Sequence, residues 1–283
     1  MRIARVFPRK TAMTPDDQLA FVDCQPPLLD PYLMTDGVDE VHVSVAFTWD
    51  IAKAEQLAEA WRVLGVPVKM GGPAFNKPSY DFVPGLYIKL GNTFTSRGCP
   101  NHCWFCAVPK RDGMIRELPV QDGWNILDDN LLACTDEHVE EVFRMLARQE
   151  HRAVFTGGLE AKILKPWHAK RLREIKADRM YFAYDTPDDY EPLLEAGKIL
   201  RQEGHKPSSH TMGCYCLIGY PKDTFEKAEK RLIDTCKAGF MPYAMLWRDE
   251  KGETDTEWQK FQREWLRPTI VGTKFKDYWS GGR

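Results

Sequence analysis

The alternation of apolar and polar positions in the first third of the chain predicts one small unit. Residues 2–7 and 41–47 are short apolar runs typical of strands, and the second is rich in β-branched residues. A third such run, residues 66–70, leads into Gly71-Gly72. Between the second and third runs, apolar side chains recur at helical spacing, at Ile51, Ala54, Leu57, Ala58, Trp61 and Leu64. We predict a βαβ Rossmann-like unit over residues 1–85, with a loop from about residue 9 to 37.

Strand and helix patterns then alternate over residues 86–250. Strand-like runs occupy residues 86–94, 125–133, 153–156, 180–185, 214–219 and 243–247. Parallel strands joined by right-handed crossovers place every helix on the outside, so the predicted fold class is α/β with a partial (βα)6 TIM-like barrel. Residues 251–283 form a third segment, in which Trp258, Phe261 and Trp265 mark a last helix before a tail.

The amino-acid composition bears on the cellular compartment of the protein. No apolar run approaches the length of a membrane span, and the N-terminus lacks a secretory apolar stretch. Eight cysteines are too few and too scattered for a disulfide framework in 283 residues. We expect a cytoplasmic protein without a membrane partner. The formal net charge of −2 gives no signal for nucleic acid by itself.

Three cysteines stand close together at Cys99, Cys103 and Cys106. Thiolates at CxxxCxxC spacing can hold three irons of a cubane [4Fe-4S] cluster and leave the fourth iron without a protein ligand. Structural zinc is the alternative, but such sites carry four ligands, and His102 would have to be the fourth. The sequence therefore favours an iron–sulfur cluster at this loop.

The sequence around these cysteines resembles that of the radical SAM superfamily. Thr93-Phe94-Thr95-Ser96-Arg97-Gly98 precedes them, and the aromatic Phe105 stands just before the last one. The resemblance covers residues 86–250 and implies the six-unit open barrel. It also implies that S-adenosylmethionine binds the open iron and is cleaved reductively to a 5'-deoxyadenosyl radical. That radical abstracts hydrogen from an unidentified substrate, and a flavodoxin or ferredoxin would supply the electron.

Polar residues at the ends of the predicted strands are the candidates for holding this cofactor, because working residues of parallel barrels stand there. Asp128, Asp129 and Asn130 end the second strand, where the resemblance implies contact with the methionine amino group. A carboxylate suits an ammonium group. The same three residues could instead cap the following turn through bonds from side chain to backbone.

Four further residues are candidates for cofactor contacts. Glu160 follows Gly157-Gly158-Leu159, which resembles a glycine-glycine-glutamate element of the superfamily but falls on the third strand with one residue inserted. Glu160 is therefore either a polar contact to the cofactor or substrate, or an ordinary loop carboxylate. Asp185 ends the fourth strand and has either a cofactor or a turn role. The resemblance also implies that Gly219, in a Gly-x-Pro turn before a capping Thr224, packs against adenine and that Phe105 contacts its other side.

Three other cysteines are candidate hydrogen-atom donors to a product radical. Cys134 follows the second strand, and Cys214 and Cys216 lie two apart on the fifth, hence on one face. If that face points into the barrel, the thiols can reach a substrate. Buried apolar thiols are the alternative.

The N-terminal unit looks like a shortened cobalamin-binding domain. It lacks the Asp-x-His-x-x-Gly cobalt-ligand motif, so we expect no cobalamin, and we interpret His42 as a structural histidine. Two rival functions stay open at this point. One is a cobalamin-dependent radical SAM methylase. The other is a non-catalytic iron–sulfur or zinc module that binds nucleic acid.

The C-terminal tail has a pattern that is typical of some nucleic-acid-binding segments. There basic and aromatic residues interleave, at Lys260, Arg263, Trp265, Arg267, Lys274, Phe275, Lys276, Tyr278, Trp279 and Arg283. An amphipathic helix and a tail that covers the open edge of the barrel explain the same residues, and we prefer that interpretation.

Overall fold

The computed structural model describes residues 1–27, 37–249, 251–266, 271 and 273. The N-terminal part is a parallel sheet with the order β2-β1-β3-β4. Its strands are β1 (Ile3–Phe7), β2 (Ala20–Val22), β3 (Glu40–Ser44) and β4 (Val68–Gly71). Strand β2 lies where we predicted loop. Three residues are too short to show an alternating pattern, and this strand is stabilised by pairing with β1 and by Phe21, which packs on Trp61.

Helix α1 (Ile51–Trp61) covers one face of this sheet. Trp61 is fully buried and donates its indole N–H to the Cys24 carbonyl at 2.9 Å. The other face is polar, with Arg5, His42 and Lys69 in register on β1, β3 and β4. His42 is bonded through both ring nitrogens, to Tyr87 Oη at 2.5 Å and to Glu40 Oε2 at 2.7 Å.

The glycine pair after β4 serves close backbone packing. Gly72 has a φ of +115°, and a Cβ atom on it would lie 2.5 Å from the Val45 carbonyl oxygen. Gly71, its neighbour, has open space at the same position and no positive φ. Only the second glycine is therefore required by the turn.

Gly72→Ala is expected to lower the free energy of unfolding by about 2 kcal/mol or more, since it combines backbone strain with a clash. Gly71→Ala is the matched control and should change it by less than about 1 kcal/mol. Urea unfolding of both variants checks this. Equal losses in the two variants would contradict the packing role of Gly72.

The second sheet has six parallel strands in chain order, β12-β11-β10-β9-β8-β5. The fold is thus α/β with a six-stranded parallel sheet, as the sequence predicts. The strands are β5 (Asn92–Thr93), β8 (Asn125–Ile126), β9 (Val154–Phe155), β10 (Arg179–Ala183), β11 (Met212–Ile218) and β12 (Met241–Leu246). A separate antiparallel pair, β6 (Ser96–Arg97) and β7 (Arg116–Glu117), follows β5.

Amphipathic helices pack on this sheet and form the larger hydrophobic core. After the short helix α2 (Val108–Arg111), which lies in the cysteine loop and has no buried residue, they are α3 (Asp136–Ala147), α4 (Pro166–Glu174), α5 (Tyr190–Gln202), α6 (Phe225–Ala238) and α7 (Thr256–Trp265). Thr224 caps α6 as predicted, accepting from the Lys227 N–H at 3.3 Å. Residues 131–133, predicted as strand, form a 3-10 turn, because the chain leaves the ladder after Ile126.

Helix α7 lies against the edge strand β12. Gln262 Nε2 donates to the Ala244 carbonyl of that strand at 2.9 Å, and Trp258, Phe261 and Trp265 pack on the core. The aromatic residues of this helix are therefore core residues. Lys274, Phe275, Lys276, Tyr278, Trp279, Arg283 and Arg267 lie outside the described residues. Among the helices that are described, none is long and apolar enough to cross a membrane.

Candidate metal centre

The three-cysteine loop lies between β6 and β7, directly after the first strand of the large sheet. The Cys99 N–H donates to the Gly113 carbonyl at 3.0 Å, and the Cys106 N–H donates to the Cys103 carbonyl at 3.1 Å. Gly98, with a φ of +89°, packs against the Met114 carbonyl, where a Cβ atom would not fit. These contacts fold both ends of the loop back on each other.

Two of the three thiols, those of Cys103 and Cys106, have raised pKa values. Cys99 and Cys106 are partly buried, Cys103 is exposed, and all three are free. Although the Cys103 residue is exposed, partial desolvation of its thiol raises the pKa, and the Cys106 and Cys99 thiols raise it further. Burial likewise raises the pKa of Cys106, with Cys99 again contributing. Because iron binds thiolates, loading this loop with metal must release protons.

The donor set fits an iron–sulfur cluster. Thiolates are the ligands of such clusters, and hydrogen bonds to sulfur accompany them. Cys99 Sγ accepts from the Asn101 backbone N–H and from Asn130 Nδ2, each at 3.4 Å. Within the described part of the chain, no three His, Cys, Asp or Glu side chains are arranged to hold a single metal ion. A cluster makes a different demand, since each thiolate binds its own iron.

Asp128 anchors the segment that leads into the cysteine loop. It is fully buried, and its carboxylate accepts from Thr95 N at 2.7 Å, Thr95 Oγ1 at 2.6 Å and Ser96 Oγ at 2.7 Å. Burial raises its pKa, against the lowering effect of the Thr95 bonds. The predicted contact of Asp128 with a cofactor amino group is therefore corrected, because both oxygens are occupied inside the protein.

Asp129 holds the loop itself. Its Oδ2 accepts from the Gly98 N–H at 2.9 Å, and its Oδ1 accepts from Arg111 at 3.0 Å. Burial raises its pKa, while the Gly98 bond and Arg111 act in the opposite direction. Asp129 thus links the start of the cysteine loop to its end. Asp129 therefore has a positioning role, and its contact with a cofactor stays a prediction.

Asn130 joins two of the predicted site residues. Its Nδ2 donates to Cys99 Sγ and, at 2.6 Å, to Glu160 Oε2. Asn130 is 4% exposed, and its Oδ1 has no hydrogen-bond partner within the described part of the chain. Glu160 reaches this position because Gly157 lets the chain after β9 pack directly on the backbone of Asp128. The structure therefore brings Cys99, Asn130 and Glu160 together.

Asp185 follows β10 and binds the neighbouring strand. Its Oδ1 accepts from the Leu217 N–H at 2.8 Å. The turn that follows is held by a different carboxylate, since Asp189 accepts from the N–H groups of Asp185 and Thr186. Burial raises the pKa of Asp185 to about 6, with Asp189 adding to the rise and Arg231 opposing it.

The raised pKa of Asp185 predicts that the free energy of unfolding depends on pH. An unfolded Asp titrates near pH ~3.9, so between about pH 4 and 6 the folded state binds more protons and stability falls as pH rises. Asp185→Asn should therefore stabilise the cluster-free protein by roughly 2 kcal/mol at about pH 7.5. Urea unfolding checks this. A gain of the same size at about pH 4.5 would contradict it.

The turn after β11 contacts the cysteine loop through aromatic rings. Trp104, 60% exposed, lies edge-on to Tyr220 at 5.5 Å and to Phe105 at 5.4 Å. Gly219 has a φ of +72°, and a Cβ atom there would meet Leu246 and Trp258. The missing side chain of Gly219 is therefore required by packing inside the protein, and the packing of this backbone against adenine stays a prediction.

The three candidate hydrogen donors lie in the core. Burial raises the pKa of Cys134 to about 12. Cys214 and Cys216 share one face as predicted, but Cys216 Sγ lies 3.2 Å from Thr235 Oγ1 on helix α6. That face of the sheet packs on the helices. The donor role is therefore corrected for all three, since their thiols belong to the hydrophobic core.

Sequence reasoning missed Arg111, Trp104 and Tyr220. Arg111 lies five residues after Cys106 and follows Lys110. Its partner Asp129 is 18 residues further along the chain, so the sequence alone does not predict this ion pair. Trp104 could have been noted as an aromatic inside the cysteine loop. Its contact with Tyr220 depends on the approach of two distant loops.

Comparisons with protein-family models and with curated proteins find no match to this chain.

Proposed function

We propose that this protein is a radical SAM enzyme that uses one [4Fe-4S] cluster and S-adenosylmethionine. The observation that carries the proposal is the loop of Cys99, Cys103 and Cys106, whose first sulfur accepts two N–H bonds. Three thiolates leave one iron of a cubane open for a ligand. When bound, the cluster supplies the electron for reductive cleavage of S-adenosylmethionine.

The residues around the loop support the proposal because some anchor its backbone and others place aromatic rings beside it. Asp128 and Asp129 fix the backbone before the first cysteine, and Arg111 ties the loop's far end to Asp129. Such anchoring keeps the three sulfurs preorganised for metal. Phe105, Trp104 and Tyr220 supply an aromatic wall beside the loop.

Two carboxylates are the candidates for direct cofactor contact. Glu160 is linked to the Cys99 sulfur through the amide of Asn130, and it retains one carboxylate oxygen outside that bond. Asp185 uses only one oxygen on the Leu217 N–H. A carboxylate close to the cluster suits the ammonium group of methionine. The substrate is unidentified, and a flavodoxin or ferredoxin in the cytoplasm would deliver the electron.

Electron paramagnetic resonance of the anaerobically reconstituted, reduced protein tests the open iron. Addition of S-adenosylmethionine should change the spectrum of the reduced cluster, because the cofactor becomes its ligand. An identical spectrum with and without S-adenosylmethionine would overturn the proposal. A preparation that binds zinc in preference to iron would favour the non-catalytic module instead.

A further inference from the structure

The side-chain amide of Asn130 bridges the Cys99 sulfur and the Glu160 carboxylate. We propose that Asn130 is a positioning residue that sets the reduction potential of the metal centre by donating a hydrogen bond to the Cys99 sulfur. This inference rests on the proposed function only in requiring a cluster at the three cysteines.

The geometry fixes which end of the amide faces the sulfur. The atom of Asn130 next to Glu160 Oε2, at 2.6 Å, must be the N–H donor, since an amide oxygen there would repel the carboxylate. The same nitrogen lies 3.4 Å from Cys99 Sγ. One amide nitrogen with two hydrogens therefore serves both acceptors.

The surroundings hold the amide in this position. Asn130 is 4% exposed, and Asp128 and Asp129, which precede it, are bonded to the segment before the loop. Among the described residues, its buried Oδ1 has no hydrogen-bond partner.

Electrostatics gives the direction of the effect. Reduction adds negative charge to the cluster and its sulfurs, and an N–H dipole pointing at sulfur stabilises that charge. The potential is therefore higher with Asn130 than without it. The Glu160 carboxylate acts in the opposite direction, because its negative charge lies on the other side of the same amide.

Dye-mediated redox titration of the reconstituted protein, followed by the EPR signal of the reduced cluster, tests this inference. Asn130→Leu removes the donor at similar volume and should lower the ratio of reduced to oxidised cluster at a fixed potential by roughly threefold to tenfold. Asn130→Ala makes the same test with a smaller side chain, should leucine not fit. Glu160→Gln keeps a polar partner but removes the charge, so it should raise the ratio.

The control is Asn76→Asp, an exposed position in the N-terminal unit, which should leave the ratio unchanged. Unchanged ratios in both Asn130 variants that bind a full complement of iron would overturn the inference, and so would shifts of the same sign in the Asn130 and Glu160 variants. Loss of iron from both Asn130 variants would also overturn it, in favour of a purely structural role. Failure of the wild-type protein to bind a cluster would instead refute the proposed function.

Discussion

Replacement of Cys99, Cys103 or Cys106 by alanine, one at a time, is expected to reduce cluster iron to near zero after anaerobic reconstitution. Each thiolate holds its own iron, and two remaining thiolates give a cubane too few protein ligands. The brown absorbance of the protein should disappear in the same variants. Iron and sulfide analysis per protein chain measures the effect.

Cys24→Ala is the matched control for these variants. Cys24 is also a free, partly buried cysteine, but it belongs to the N-terminal unit. Its loss should leave iron and sulfide at the wild-type level. Full iron in all three loop variants would refute the cluster assignment.

Asp128→Ala is expected to have the second largest effect, a loss of about 3 kcal/mol or more in the free energy of unfolding. The substitution leaves one N–H and two hydroxyl groups of Thr95 and Ser96 without their buried acceptor. Since these residues lead into the cysteine loop, iron binding should fall as well. Urea unfolding of the cluster-free protein and iron analysis measure the two consequences.

Asp128→Asn separates charge from bonding. Its Oδ1 can still accept from the Thr95 N–H, and both hydroxyl groups can rotate to accept from the amide. We therefore expect a smaller loss than for alanine. Asp122→Ala, at an exposed carboxylate in the loop before β8, should change the free energy of unfolding by less than about 0.5 kcal/mol. An equally small change for Asp128→Ala would contradict the anchoring role.

The order of the large sheet could be predicted from the sequence, whereas the roles of its polar residues could not. Repeated strand and helix patterns with right-handed crossovers lead to parallel strands in chain order, and the β12-β11-β10-β9-β8-β5 sheet confirms this. The start of α6 could be predicted from Thr224, because threonine is a preferred N-cap residue. Strand β2 is too short for any periodic signal.

The polar run after β8 shows why the site is harder to predict. Asp128, Asp129 and Asn130 are all hydrogen-bonding residues, and nothing in their order says which side chain turns inward. The structure turns Asp128 and Asp129 toward the segment before the cysteines, and Asn130 toward Cys99 and Glu160. The same limit applies to Cys214 and Cys216, whose shared face is predictable but whose side of the sheet is not.

Product analysis after incubation with S-adenosylmethionine and a low-potential reductant tests the central claim most directly. We expect the reconstituted wild-type protein to release 5'-deoxyadenosine, detected by chromatography, and the Cys103→Ala variant to release none. A cobalamin-dependent radical SAM methylase would also release 5'-deoxyadenosine, and it would be recognised by S-adenosylhomocysteine that forms only with added cobalamin. Equal amounts of 5'-deoxyadenosine from the wild-type protein, the variant and a protein-free control would contradict the account.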